Sequence, residues 1–318
     1  MKKNILLIGC IMSHCGYSLF GNDVVYLFSH GLYANSSLAY YYENIRKPSE
    51  IINNGTIILT GNKAAGVHHS WSFEDENDAR LWIIQQPLHT FNYPDAQYGF
   101  DPNKTSLGQE NEIATLAYAN GKIKKNKTVI MGMSRGASTI LNFLGTKQPT
   151  NVVAAVVESP FDSVINTLDT HCNQFWLRFV PSLVYTSPNV LFGRFNPNGI
   201  SPIKVVDNIA KELPVLIIAS LKDALIPAAN SASIYQKLIE TGHGHVYLLL
   251  LDHGEHAYLL EDIDADIYLN TVHAFYEKYN LPYNKALAAK GRVLLAQCQP
   301  SAAILADAIK NKKSYIQR

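Results

Sequence analysis

Cysteine is scarce, at four residues in 318. That excludes a small scaffold held by disulfides in place of a core. Charge of one sign is not in excess either: 27 basic residues stand against 26 acidic ones, for a net charge of +1. With no basic surplus, a nucleic-acid partner is not expected. Past residue 21 no run approaches the ~20 apolar residues of a bilayer-crossing helix, so no membrane span is expected. Internal repeats and low-complexity tracts are also missing. So is the H-E-x-x-H helix of many zinc hydrolases, and no cofactor or metal is expected.

What is present is the composition of a folded chain with a substantial core, 47% apolar and 17% charged. Its balanced charge suits a small partner of low charge. The first residues differ from the rest: Lys2 and Lys3 precede a mostly apolar or small stretch, Ile5 to Phe20, that has no acidic residue. This pattern predicts a signal peptide over 1–21, cleaved after Gly21, and a secreted or periplasmic protein. A first core strand over Ile5 to Ile11 is one alternative. Another is an N-terminal lipid anchor at the lipobox-like Leu7-Ile8-Gly9-Cys10. Beyond that segment only Cys172 and Cys298 remain. Their spacing leaves a disulfide and two buried thiols equally open.

From residue 22, strand-like apolar runs alternate with helical patterns, which predicts an α/β fold with a mostly parallel sheet covered on both faces. The predicted strands are Val24 to Ser29, Thr56 to Thr60, Leu81 to Gln85, Thr128 to Met133, Val152 to Glu158, Val215 to Ser220 and Val246 to Leu251. Predicted helices cover Ser36 to Lys47, Gly108 to Asn120, Arg135 to Gly145, Ala229 to Thr241 and Asp264 to Tyr279. The segment 166–201, with Phe175, Trp176 and Phe179 followed by several Pro, Asn and Gly residues, reads as an inserted cap on a domain spanning 22–282. Those aromatics suit an apolar acyl group or simply bury the cap. Residues 283–318 read as a C-terminal helical extension, split at Pro300 and ending in the solvated Lys310, Lys312 and Lys313.

The strongest local signal is Gly132-Met133-Ser134-Arg135-Gly136, a G-x-S-x-G between a strand and a helix. There the serine occupies a tight turn, and the helix N-terminus aims backbone N–H groups at negative charge developing beside it. A serine hydroxyl is a weak nucleophile at neutral pH and needs a base, which in turn needs an orienting group. Asp223 follows the strand Val215 to Ser220, and His253 and His256 follow the strand Val246 to Leu251. Parallel strands bring these loops to one edge. His256 is favoured as the base because the chain needs several residues to turn back over Ser134, whereas His253 follows the strand too closely and reads as a structural loop residue. The loop Ser29-His30-Gly31-Leu32 supplies the Leu32 N–H as one oxyanion donor, and the Arg135 N–H is the other. The Arg135 side chain is expected on the helix surface without a role, and His30 is expected to brace its loop.

Taken together, His30-Gly31, the Ser134 motif, the run Glu158 to Ser163 and the Asp223 and His256 loops resemble the α/β-hydrolase superfamily, in the family's order from about residue 24 to about residue 280. The resemblance implies a Ser, Asp, His triad and hydrolysis of an ester, amide or thioester through an acyl-enzyme. The Glu158 to Ser163 run is similar to acyl-hydrolase and oligopeptidase-like branches. Arg135 in the elbow and Glu255 beside the base depart from the family's pattern. An esterase acting on a small-molecule acyl substrate is the favoured activity. The alternatives are a peptidase or amidase of the same fold, and a non-catalytic secreted interaction protein. Glu158 or Asp162 could replace Asp223 as the acid. The pairs His68-His69, His243-Gly244-His245 and His253-x-x-His256 look like metal ligands only superficially, because zinc takes three or four.

Overall fold

Apolar runs too continuous to leave one face in water form the centre of the fold. In the computed structural model, residues 24–32, 88–96, 101–168, 194–260 and 262–317 are described. The strands are β1 (Val24–Ser29), β2 (Leu88–Thr90), β3 (Lys127–Met133), β4 (Val152–Glu158), β5 (Val215–Ser220) and β6 (Val246–Leu251). They lie in the order β2-β1-β3-β4-β5-β6, every neighbouring pair parallel. A sheet of this kind must be covered on both sides, and strand residues alternate between the two covers. Val25 and Leu27 join one apolar cluster while Tyr26 and Phe28 join the other.

Helices α1 (Glu110–Lys122), α2 (Arg135–Lys147), α3 (Ala228–Glu240) and α6 (Ala302–Asn311) contribute to the first cluster, and α4 (Ala265–Lys278) and α5 (Lys285–Gln297) to the second. Each fully buried Leu or Phe in these layers contributes roughly 1.5–3 kcal/mol. Helix α5 starts where the Asn284 side chain accepts from the N–H groups of Ala286 and Leu287, and α6 where Ser301 accepts from Ile304. Either cap is worth about 1 kcal/mol.

The chain just before and just after α6 runs along the outer edge of β6. Leu248 N–H donates to Cys298 O at 2.7 Å, and the Ser314 and Tyr315 hydroxyls donate to Leu250 O and Leu248 O. Ser314 N–H also donates to Asp252 Oδ1 at 2.7 Å, tying this segment to the loop after β6. Cys298 is a buried free thiol that donates to Leu294 O, and burial pushes its pKa up.

Sequence expectations over 1–21, Ser36 to Lys47, Thr56 to Thr60, Leu81 to Gln85, Cys172 and the cap residues 169–193 lie outside the described residues. Strand β2 is an addition to the sequence reading. Among the described residues, no helix is long and apolar enough to cross a membrane.

Candidate active site

From β1 the chain reaches β2 on one side, and from β3 it reaches β4 on the other. Crevices form at such switch points, outside the carboxyl ends of the strands. The loops after β1 and β3, which carry Leu32 and Ser134, flank this crevice.

Ser134 joins β3 to α2 with φ 52° and ψ −122°, a left-handed conformation that costs a side-chain-bearing residue roughly 1–3 kcal/mol. The turn is over-determined by its surroundings. Ser134 N–H donates to Glu158 O at 2.8 Å, and Ser138 N–H donates to Ser134 O at 3.0 Å. The two motif glycines admit the end of β1: a Cβ on Gly132 would lie 2.6 Å from Ser29 O, and one on Gly136 only 2.1 Å from it. Serine is a favoured N-cap residue, yet Ser134 makes no side-chain cap bond to α2. Its hydroxyl has no hydrogen-bond partner among the described residues. The loop after β1 lies beside it, since a Cβ at Gly31 would meet Ser134 Cβ at 3.6 Å.

Asp223 sits in the turn after β5, 5% exposed. Its Oδ1 accepts from the N–H groups of Leu225 and Ile226 at 3.0 and 2.7 Å, which turns Oδ2 toward the next loop. There His256 Nδ1 lies 2.7 Å from Asp223 Oδ2. A carboxylate only accepts, so this network assigns the proton to Nδ1 and leaves a lone pair on Nε2. Backbone at positive φ on both sides, Gly254 at 106° and Ala257 at 69°, folds the loop back so that His256 can reach. The structure thus brings Asp223 and His256 into contact at the sheet edge that carries Ser134. No hydrogen bond between Ser134 Oγ and His256 Nε2 is present among the described residues.

His253 faces elsewhere: its N–H and Nδ1 lie 2.9 and 3.3 Å from Asp264 Oδ2. Asp162 is occupied by the Ser163 N–H and by Asn166 Nδ2, and burial raises its pKa. His243 and His245 precede β6 whereas His253 and His256 follow it. A strand of that length, at about 3.3 Å per residue, keeps the two pairs far apart.

One expectation is corrected. The Arg135 side chain does not face the helix surface but is 1% exposed. Its Nη1 lies 2.6 Å from Asp95 Oδ2 and 3.7 Å from Glu112 Oε1, and its Nη2 donates to Gly31 O at 3.0 Å. The guanidinium stacks 4.6 Å from the Tyr93 ring centre. A buried arginine needs compensating carboxylates, and the signal for it was the charged residue inside a turn that favours small neighbours. Asp95, Glu112 and Tyr93 carried no such signal, because they are distant in sequence and belong to no motif.

A parallel sheet wound about this crevice, with a strained serine at the β3–α2 turn, defines the α/β-hydrolase fold, and the chain is a serine hydrolase of that class. Residues 107–281, more than half of the chain, match the prolyl oligopeptidase family profile, and the chain belongs to that family. No curated protein matches the sequence. Among solved structures, an esterase of Pyrococcus furiosus superposes with TM-score 0.54 at 16% identity, over 81% of this chain and 83% of that one. An acylaminoacyl peptidase of Pyrococcus horikoshii superposes with TM-score 0.50 at 15% identity, over 80% of this chain but only 36% of the peptidase. At such identities the likeness speaks to the fold.

Proposed function

We propose that the protein hydrolyses a carboxylic ester through an acyl-enzyme, with Ser134 as nucleophile, His256 as general base and Asp223 as its orienting acid. The observation that carries this reading is the 2.7 Å contact between His256 Nδ1 and Asp223 Oδ2 at the edge where Ser134 stands. With Nδ1 holding its proton, Nε2 accepts the Ser134 hydroxyl proton as Oγ attacks the substrate carbonyl carbon. The carbonyl π electrons move to oxygen, and the N–H groups of Leu32 and Arg135 take the resulting oxyanion. Collapse of this intermediate breaks the bond to the leaving alcohol, which receives the proton from His256. Water then attacks the acyl carbon and gives a proton to His256, and collapse of the second intermediate breaks the bond to Ser134 Oγ, which takes that proton as the acid leaves.

Two features favour an ester over an amide. The chain aligns with most of the length of the Pyrococcus furiosus esterase, and the Pyrococcus horikoshii peptidase shares only 36% of its length with this chain. The family name keeps a peptidase as the second reading. Hydrolysis of p-nitrophenyl esters of increasing chain length, measured beside aminoacyl p-nitroanilides, separates the two. We expect ester turnover and fluorophosphonate labelling, both lost in Ser134→Ala. Faster cleavage of the anilides would replace the esterase reading, and labelling that survives Ser134→Ala would overturn the nucleophile.

A further inference from the structure

A peptide group is planar and trans, so its C=O and N–H point in opposite directions. The carbonyl of Gly31 and the N–H of Leu32 belong to one such group. Whatever grips Gly31 O therefore aims the Leu32 N–H. Two side chains grip it. His30 Nδ1 lies 2.9 Å from Gly31 O and Arg135 Nη2 lies 3.0 Å from it. The His30 tautomer is set by its other nitrogen: Nε2 accepts the Tyr93 N–H at 3.2 Å, so Nδ1 carries the hydrogen and donates to the carbonyl. Burial, aided by the charge of Arg135, pushes the His30 pKa down to about 3, so the ring stays neutral.

The guanidinium is itself fixed from behind. Asp95 Oδ2 at 2.6 Å and Thr105 Oγ1 at 3.3 Å hold Nη1, and the Tyr93 ring supports its face. Glu112, at 3.7 Å from Nη1, is pinned in turn by the Thr105 hydroxyl at 2.6 Å and by the Ser106 N–H and hydroxyl. Every one of these groups is buried. A planar, permanently charged fork in a dry site is suited to holding a carbonyl in one direction.

Resting on the oxyanion role proposed above for the Leu32 N–H, we infer that the Arg135 side chain is a positioning residue: by holding Gly31 O it aims the Leu32 N–H at the developing oxyanion. Arg135 thus serves the oxyanion twice, through its own N–H and through its side chain, and Asp95 and Glu112 are the counterions that keep the guanidinium in place. The same contact with Gly31 O polarises the peptide and strengthens its N–H as a donor.

The test is steady-state hydrolysis of p-nitrophenyl butyrate, together with the rate of fluorophosphonate labelling, in five variants. Arg135→Met should lower kcat and the labelling rate by roughly 100-fold with KM little changed, as loss of an oxyanion donor does. Because this variant strands two buried carboxylates, Arg135→Met/Asp95→Asn/Glu112→Gln is made beside it. Removing the charges together should restore the melting temperature but not kcat, whereas a purely structural arginine would regain activity with stability. Leu32→Pro deletes the donor itself, and adding Arg135→Met to it should cost little more. Activity restored in the triple variant, or additive losses with Leu32→Pro, would overturn the inference. Ser134→Ala distinguishes the levels. If it still turns over the ester, the proposed mechanism falls and takes this inference with it. If it is inactive while Arg135→Met stays within about threefold of wild type, well short of the loss of an oxyanion donor, only the inference falls.

Discussion

Replacing Gly136 by alanine adds one carbon where the backbone leaves no room. The new Cβ would lie 2.1 Å from Ser29 O, 2.6 Å from Ser29 C and 2.7 Å from His30 O. All three neighbours are main-chain atoms at the end of a central strand, so no rotamer change relieves the overlap. Helix α2 and strand β1 must separate by about 1 Å, which at the usual cost of overpacking destabilises the fold by roughly 1–3 kcal/mol or more. In a chain of this size each kcal/mol lowers Tm by about 1.5 °C. The separation falls between Ser134 and Leu32, and misplacement on that scale should reduce kcat about 100-fold. Gly121 in α1 is the control, since a Cβ there meets nothing within 4 Å. Gly121→Ala should be neutral or should stabilise by roughly 0.5–1 kcal/mol. Differential scanning fluorimetry and ester turnover on both variants decide the matter. A Gly136→Ala protein with wild-type Tm and kcat would refute the close approach of β1 to the serine turn.

Asp223→Asn keeps the shape of the turn but loses control of the His256 tautomer, and kcat should fall by about four orders of magnitude, read from p-nitrophenyl ester hydrolysis. Should Glu158→Gln or Asp162→Asn show that loss instead, the acid is misassigned. His253→Gln, whose partner is Asp264 rather than Asp223, should keep kcat within about tenfold, far from the loss expected of a base; a base-like loss on that assay would exchange the two histidines. Burial holds three histidines neutral, with His30 and His273 pushed down to about 3 and His243 to about 4. In the unfolded chain each takes up a proton near pH 6.5. Stability should therefore be unaffected by them above that pH, fall as pH drops below it and level off near pH 3–4. At pH 5 the loss is about 2 kcal/mol per histidine. Urea unfolding at pH 7 and pH 5 measures this, and His273→Gln should shrink the difference by that amount. An unchanged difference would rule out the neutral state of His273.

The central strands were legible in the sequence because they are buried on both faces. Runs such as Val215 to Ser220 and Val246 to Leu251 carry no polar interruption, and the structure ends them at those residues. Strand β2 was not legible: three residues, Leu88–Thr90, offer neither a run nor an alternation. At the site, Ser134 was readable from its small neighbours, whose reason is the carbonyl of Ser29 pressed against both glycines. Parallel topology alone carries Asp223 and His256 to the same edge. The support behind Gly31 was hidden, because the contacts of Arg135 with Asp95 and Glu112 join loop and helix positions that share no period or motif.

The segment along the outer edge of β6 has a consequence for self-association. A bare edge strand offers unpaired amide and carbonyl groups as a template for another chain. Here Cys298 O, the Ser314 hydroxyl and the Tyr315 hydroxyl occupy such groups on Leu248 and Leu250. The sheet is thereby closed to lengthening on that side, and two copies cannot join β6 to β6 into one continuous sheet without first peeling the segment away.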